Sequence, residues 1–92
     1  MIYQIIFTKP FKKQFKKYQY HQKLELKITE ALTLIQRGEP LPRKYKEHPL
    51  QGERRKLLEC HICPDLLLVY FRDEQERNIY MVSIGSHNEI FG

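Results

Sequence analysis

The spacing of hydrophobic residues changes along the chain and divides it into predicted elements. Residues 2–7 are rich in β-branched and aromatic side chains and predict a strand. Residues 10–19 carry aromatic residues at helical spacing, and a stripe of aliphatic residues at the same spacing runs through residues 21–37. These stretches predict two amphipathic helices in a hairpin, with one bent helix as the alternative. Thr8 is the predicted cap of the first helix, and Gly38 lies just beyond the end of the second.

In the second half of the chain the hydrophobic period becomes two, which is typical of strands. The alternation predicts that Cys60 faces the core and that His61 points to the opposite face. Residues 66–71 are apolar almost without interruption, which predicts a central strand covered on both faces. A last strand is predicted at residues 79–84, and a final helical turn capped by Ser86 follows it.

The predicted elements follow the order β-α-α-β-β-β within one domain, residues 1–92. This order indicates an α+β fold with a small antiparallel sheet, in which the last three strands form a meander and the first strand joins them. The two N-terminal helices are expected to pack on one face, which leaves the other face for function. Residues 38–50 contain three prolines and predict an ordered surface loop.

Composition narrows the class of partner. The 92-residue chain carries a net charge of +5, which favours a polyanionic partner, either nucleic acid or an acidic protein. No apolar run approaches the roughly 20 residues of a membrane span, and the N-terminus lacks the features of a secretory signal. We therefore expect a cytoplasmic protein without a membrane partner, whose cysteines stay reduced.

Four titratable residues lie in or beside the predicted loops and strand ends, namely His48, His61, Asp65 and His87. RNA can be cleaved without a metal when a base removes the 2′-hydroxyl proton and an acid protonates the leaving 5′-oxygen. Histidine suits both roles near neutral pH, and a carboxylate can act as a base or orient a histidine. These four residues are the candidate catalytic groups, and we expect neither a metal nor another cofactor.

Basic residues flank His48 on both sides in the sequence. They are Lys44, Lys46, Arg54, Arg55 and Lys56. Such residues can hold the phosphates of a nucleic acid, or they can form an ordinary solvated surface, and charge alone does not distinguish the two.

The segment Cys60-His61-Ile62-Cys63 allows three interpretations. A redox pair needs a helix N-terminus to lower the thiol pKa, and none is predicted here. A zinc site would combine both cysteines with His48 or His87, but no second metal-binding pair follows. The interpretation that we favour places Cys60 in the core and Cys63 in a turn.

Three segments resemble, in order and spacing, the signatures of YafQ-type toxins in the RelE/ParE superfamily. They are residues 45–52, 59–70 and 85–92, which read YKEHPLQG, ECHICPDLLLVY and GSHNEIFG. The resemblance implies a type II toxin–antitoxin toxin with a RelE-like fold, a ribosome-dependent endoribonuclease that cleaves mRNA without a metal and inhibits translation. It also implies three kinds of partner: a cognate antitoxin, the ribosome with its mRNA, and operator DNA contacted only through the antitoxin complex.

The resemblance also implies roles for individual residues. Carried over by position, it suggests His87 and Asp65 for the proton transfers. It suggests His48 and His61 for positioning or stabilising the phosphate, and Phe91 for stacking on a base. Which of the groups is the acid and which is the base stays open.

The chain departs from the family pattern at three positions. Leu58 and Ser83 stand where relatives commonly carry arginine, and Leu66 stands where some carry tryptophan. An arginine can stabilise the charge of the transition state, a role worth about 3 kcal/mol. The missing arginines therefore leave an alternative open, a catalytically weakened binding module that acts through its antitoxin and operator DNA. A ParE-like gyrase inhibitor on the same fold is a further alternative, although that activity needs no acid–base residues.

Overall fold

A mixed five-stranded sheet runs through the part of the chain that the computed structural model describes, residues 2–52 and 56–92. Its strands are β1 (Gln4–Phe7), β2 (His48–Pro49), β3 (Leu58–Cys63), β4 (Leu66–Asp73) and β5 (Asn78–Gly85). Their order in space is β1-β5-β4-β3-β2, and β1 runs parallel to β5 while the other neighbouring pairs are antiparallel. The predicted α+β fold and the meander of β3, β4 and β5 are confirmed. The sheet is mixed and not wholly antiparallel as predicted, because the first strand lies at an edge and runs parallel to β5.

Helices occupy three stretches of the described chain, α1 (Lys9–Phe15), α2 (Gln22–Gln36) and α3 (His87–Phe91). A 3₁₀ turn at Lys16–Tyr18 extends α1. The hydroxyl of Thr8 accepts a hydrogen bond from the backbone N–H of Phe11, and Ser86 caps α3 together with Glu89. Both predicted caps are therefore confirmed. None of the helices in the described ranges is long and apolar enough to cross a membrane.

The main core lies between one face of the sheet and the first two helices. Its members include Phe11, Ile28, Ala31, Ile35, Cys60, Leu68, Tyr70, Met81 and Ile84. Because Leu68 and Tyr70 point towards the helices, the intervening residues of β4 point to the opposite face. Leu67 and Val69 are buried there as well, with 1% and 3% of their surface exposed. The central strand is therefore covered on both faces, as predicted.

Cys60 is a core residue, as predicted. It is fully buried, and burial raises the pKa of its thiol to about 12. Burial encloses the sulfur and disfavours the thiolate, the form that reacts and binds metals, so the structure favours a packing role for Cys60. The prediction for Cys63 is wrong, because β3 continues to this residue and Cys63 packs at the margin of the core.

Part of the predicted loop at residues 38–50 forms regular structure. Gly38 adopts a φ of 73° just after α2, as its predicted position requires. A 3₁₀ turn follows at Arg43–Tyr45, and β2 then pairs with β3. The prolines hide this strand from sequence analysis. Pro49 is tolerated in it because β2 lies at the edge of the sheet, where one backbone N–H need not pair.

Candidate active site

Strand pairing places polar residues in one row on the face opposite the main core. His48 of β2 pairs with Glu59 of β3, which pairs with Val69 of β4, which in turn pairs with Ser83 of β5. Paired residues lie side by side on the same face of a sheet. His61 lies two positions beyond Glu59 on β3 and therefore shares this face. The sequence prediction that His61 points away from the core is confirmed.

Glu59 is the centre of a carboxylate–histidine cluster on this face. Its side chain is only 7% exposed, and its Oε1 lies 3.2 Å from Nε2 of His48 and 3.5 Å from Nε2 of His61. The Nδ1 of His48 faces the carbonyl oxygen of Pro49 at 3.1 Å. Both ring nitrogens of His48 thus face hydrogen-bond acceptors. Two of the predicted catalytic histidines therefore meet on one carboxylate.

Sequence reasoning misses Glu59 as a site residue. The information needed is the two-residue period of β3, which turns Glu59 and His61 to the same face and Cys60 to the other. The motif comparison directs attention instead to the carboxylate of Asp65, which lies at the end of the same hairpin.

A pocket of about 330 Å³ opens beside the cluster. The residues that line it are His48, Pro49, Leu50, Gln51, Glu59, His87 and Phe91. Helix α3 contributes His87 and Phe91, whose ring centroids are 5.0 Å apart at an interplanar angle of 50°. Two predicted catalytic histidines and the predicted stacking aromatic residue therefore share one concave site, which we call the first pocket.

Helix α3 is held in place by its own cap and by the first helical segment. The hydroxyl of Ser86 accepts a hydrogen bond from the backbone N–H of Glu89, and the Glu89 carboxylate accepts one from the backbone N–H of Ser86. The other carboxylate oxygen forms an ion pair with Lys17. The hydrogen bonds from Lys17 and Ser86 lower the pKa of Glu89 to about 2. The anchor that positions His87 is therefore charged at neutral pH and is lost only on acidification towards pH 2.

The segment that carries His48 is anchored through the preceding residue. Glu47 accepts a hydrogen bond of 2.5 Å from the hydroxyl of Tyr70 and one of 3.1 Å from the backbone N–H of Leu41, and Arg72 lies 3.8 Å away. Tyr70 is fully buried, and burial raises the pKa of its phenol, which therefore stays a donor at neutral pH. Because Glu47 is tied inwards, the neighbouring His48 side chain is directed to the opposite face, towards Glu59.

Asp65 lies apart from the first pocket. It is exposed in the tight turn between β3 and β4, and it contributes to the lining of neither pocket described here. Within residues 2–52 and 56–92 it forms no hydrogen bond or ion pair. The structure thus brings together three of the four predicted catalytic residues and leaves Asp65 at the hairpin tip.

The predicted phosphate-binding residues are more dispersed. Lys46 is exposed and lines a second pocket, which also contains His61. Lys56 is exposed just before β3. Arg54 and Arg55 lie outside the described residues.

The two positions at which relatives commonly carry arginine lie on opposite faces of the sheet. Leu58 shares its face with Cys60 and packs against the main core. An arginine at this position would point away from the first pocket, so its absence removes nothing from the site. Ser83 lies in the row with Val69 and Glu59, and it is the departure that bears on the site.

One group of potential metal ligands stands out among the described residues. The ligand atoms of His48, Glu59 and His61 all lie within 4.8 Å of one another. Two imidazoles and one carboxylate suit a transition metal such as zinc or copper. A zinc site that uses both cysteines is not formed, because Cys60 is enclosed in the core on the opposite face.

Comparison with known proteins identifies the family to which the chain belongs. The family model described as the bacterial toxin of type II toxin–antitoxin system, YafQ, matches residues 3–92. The mRNA interferase toxin YafQ of Escherichia coli strain K12 is 31% identical over 86 residues, which cover 94% of this chain and 88% of that protein.

Solved structures show the same fold. The toxin–antitoxin complex DinJ–YafQ of E. coli contains a chain that is 29% identical, with a TM-score of 0.86 and full coverage of both chains. A metal-bound toxin from Helicobacter pylori is 40% identical, with a TM-score of 0.77 and coverage of 98% of this chain and 100% of that one. The chain therefore belongs to the YafQ family of bacterial type II toxin–antitoxin toxins.

Proposed function

We propose that this toxin is an mRNA interferase, a ribosome-dependent endoribonuclease that cleaves mRNA by acid–base catalysis without a metal and so inhibits translation. The observation that carries the proposal is the first pocket, which His48, His87 and Phe91 line together with the buried residue Glu59. The mRNA interferase activity of the E. coli relative, which is similar over most of the chain, supports it.

The reaction needs two proton transfers and a cation. The 2′-oxygen attacks the adjacent phosphorus after a base has taken its proton, and the bond to the 5′-oxygen breaks as an acid protonates that oxygen. This leaves a cyclic phosphate on one fragment and a 5′-hydroxyl on the other. We assign one of the proton transfers to His87, because it is exposed at the rim of the pocket and its recorded ring contact is Phe91 rather than a carboxylate.

His48 and His61 are assigned to the phosphate. Glu59 forms a hydrogen bond with His48 and lies within ion-pair distance of His61, so one carboxylate orients both rings. A protonated imidazole held in this way can stabilise the negative charge that develops on the phosphorane. Phe91 is assigned to a base of the mRNA, since an aromatic ring on the pocket wall offers a surface for stacking. A role of Asp65 in proton transfer stays a prediction, because the structure places it at the hairpin tip.

The proposed partners follow from the same family. The E. coli relative has been solved in complex with the DinJ antitoxin, and we propose that a cognate antitoxin binds and silences this chain. We further propose that operator DNA is contacted only through that complex, and that the toxin acts in the cytoplasm. The net charge of +5 favours both an acidic antitoxin and an RNA substrate.

The test of the proposal uses purified toxin and ribosomes programmed with a 5′-labelled mRNA. The toxin is first treated with a transition-metal chelator and dialysed, so that the Mg²⁺ of the ribosomes is untouched. We expect cleavage within the mRNA on the ribosome and intact mRNA when ribosomes are omitted. Absence of cleavage from the intact toxin would contradict the proposal. Activity that returned only when zinc or copper was restored would contradict its metal independence.

Glu59→Gln tests the carboxylate at the centre of the cluster. The amide keeps the size of the side chain but lacks the negative charge, and loss of a charge-assisted hydrogen bond costs about 1–2 kcal/mol. We therefore expect the rate of cleavage on programmed ribosomes to fall roughly tenfold with little change in toxin binding. The matched control is Glu74→Gln, which makes the same change at an exposed position between β4 and β5. Equal rates for the two variants would remove Glu59 from the mechanism.

Ser83 favours a second candidate function. A toxin that lacks the arginine of this position can retain the fold and the contact with its antitoxin while its catalysis is weakened. Such a chain would act as a binding module, and Ser83→Arg is the substitution that separates the two functions.

A further inference from the structure

A second pocket, of about 450 Å³, adjoins the first one at His61. His61 lines the second pocket, and its Nε2 lies 3.5 Å from the carboxylate of Glu59, which lines the first. The second pocket lies between α2, the 3₁₀ turn at Arg43–Tyr45 and the end of the β3–β4 hairpin. Two concave sites therefore share one histidine cluster.

The second pocket carries an excess of positive charge. Lys27 of α2, Lys44 of the 3₁₀ turn and Lys46 just after it all contribute to its lining. Lys44 lies 3.6 Å from Glu30, and this pair is weak because both side chains are more than half exposed. Within the described ranges Lys27 and Lys46 form no ion pair, and the Nζ of Lys27 lies 3.9 Å from the sulfur of Cys63. Among the residues that the structure describes, the ammonium groups of Lys27 and Lys46 thus have no carboxylate within ion-pair distance.

The backbone at Lys46 links the two pockets. Its φ of 50° and ψ of 42° are left-handed, a conformation that a non-glycine residue adopts rarely. The chain turns there, from the 3₁₀ turn that supplies Lys44 to the strand that supplies His48. One short segment therefore provides lysines to the second pocket and a histidine to the first.

We propose that the second pocket binds a phosphate of the same mRNA strand, one that flanks the phosphate to be cleaved. The inference rests on the proposed function, because it takes the first pocket as the site of cleavage. A strand whose scissile phosphate lies beside His48 passes His61, and its neighbouring phosphate then reaches the ammonium groups. Lysine suits this role, since it meets a phosphate as a mobile point charge with three donors. Lys27, which sequence analysis does not single out, becomes a substrate-binding residue.

The first experiment removes the charge from the second pocket. The double variant Lys27→Ala/Lys44→Ala is compared with Lys12→Ala/Lys23→Ala, which removes the same charge from exposed positions outside both pockets. We expect kcat/KM for cleavage on programmed ribosomes to fall about tenfold in the first variant and to change less than about twofold in the control. The dependence of kcat/KM on salt concentration should also become shallower only in the first variant. Equal losses in both variants would overturn the inference.

The second experiment identifies the phosphate. A set of mRNAs carries a single uncharged methylphosphonate at each position within two nucleotides of the cut. For the intact toxin, one of these positions should lower kcat/KM about tenfold, and the same substitution should have little further effect on Lys27→Ala/Lys44→Ala. A phosphate of ribosomal RNA is the other source of the same chemistry. If the lysines bind ribosomal RNA instead, the double variant is weakened, but each methylphosphonate lowers its kcat/KM by the same factor as it lowers that of the intact toxin. This result would also overturn the inference.

Failure of the proposed function can be told apart from failure of this inference. If the intact toxin does not cleave, the same comparison is made by measuring its Kd for the programmed ribosomes. A coupling between the lysine pair and one methylphosphonate in that Kd supports the phosphate site even without cleavage. If the intact toxin cleaves mRNA but the effects of the lysine substitutions and of the methylphosphonates are independent, the phosphate site is refuted. The proposed mRNA interferase function is then unaffected.

Discussion

Replacement of His87 by alanine is expected to lower the rate of mRNA cleavage by about 10²- to 10⁴-fold, the range for loss of a positioned acid or base. His87 lines the first pocket together with His48 and Glu59. It is exposed, and it is the histidine that α3 contributes to this pocket. The loss should therefore appear in the chemical step. The measurement is a single-turnover time course on ribosomes programmed with a 5′-labelled mRNA.

Two features of His87→Ala separate a chemical role from a structural one. The cap of α3 uses Ser86 and Glu89 and does not involve the His87 ring, so the helix should remain in place. The Kd for programmed ribosomes should then stay within about threefold of that of the intact toxin, because an exposed ring contributes little to binding.

The matched control for this variant is His21→Ala. His21 is an exposed histidine at the N-terminus of α2, where its side chain forms no capping hydrogen bond. The His21→Ala variant should therefore cleave mRNA at the same rate as the intact toxin. A rate for His87→Ala within about fivefold of the intact toxin would exclude His87 from proton transfer, and the first pocket would then need a different acid or base.

Most of the fold could be predicted from the sequence, because its elements have clear hydrophobic periods. The helical stripes predict α1 and α2, and the apolar run predicts β4 as the covered central strand. The position and direction of β1 could not be predicted, since its pairing with β5 joins residues more than 70 positions apart and its apolar side chains allow an edge or a central place. The short strand β2 was hidden by prolines, which in most contexts end a strand.

The site was predicted less completely, for reasons that lie in β3. The motif resemblance identifies His48 and His87, and the fold brings both to the first pocket. The two-residue period of β3 supplies the information that the motifs lack, because it turns Glu59 towards the histidines and Leu58 towards the core. A motif comparison treats positions one by one and does not distinguish the faces of a strand. That is why it overlooks Glu59 and gives Leu58 the same weight as Ser83.

We therefore expect opposite effects from arginine at position 83 and arginine at position 58, although relatives commonly carry arginine at both. Ser83 lies on the face of the first pocket, two strands from Glu59, a separation of about 10 Å that an extended arginine can largely span. The path crosses Val69, whose apolar surface can support the stem of the side chain. The guanidinium would then face the phosphate with donors that only the charged transition state uses in full.

Ser83→Arg is accordingly expected to raise the rate of mRNA cleavage by about tenfold or more, in line with the effect of one well-placed donor on a developing negative charge. Leu58→Arg adds the same charge on the opposite face, where the guanidinium would enter the margin of the main core. We expect it to leave the rate unchanged and to lower the free energy of unfolding by about 1–3 kcal/mol. Cleavage is measured on programmed ribosomes, and stability is measured by urea unfolding.

The variants Ser83→Arg and Leu58→Arg also decide between an active toxin and a weakened binding module. If the parent chain arrests growth on expression and Ser83→Arg only quickens the arrest, the site is complete and Ser83 limits its speed. If the parent is harmless and Ser83→Arg makes it toxic, the chain acts through its antitoxin contact, and the missing guanidinium is what silences it. A gain of activity from Leu58→Arg alone would contradict the assignment of that position to the core side of β3. The strand period that places Glu59 beside the histidines would then have to be reconsidered as well, because the two residues are neighbours and cannot share a face.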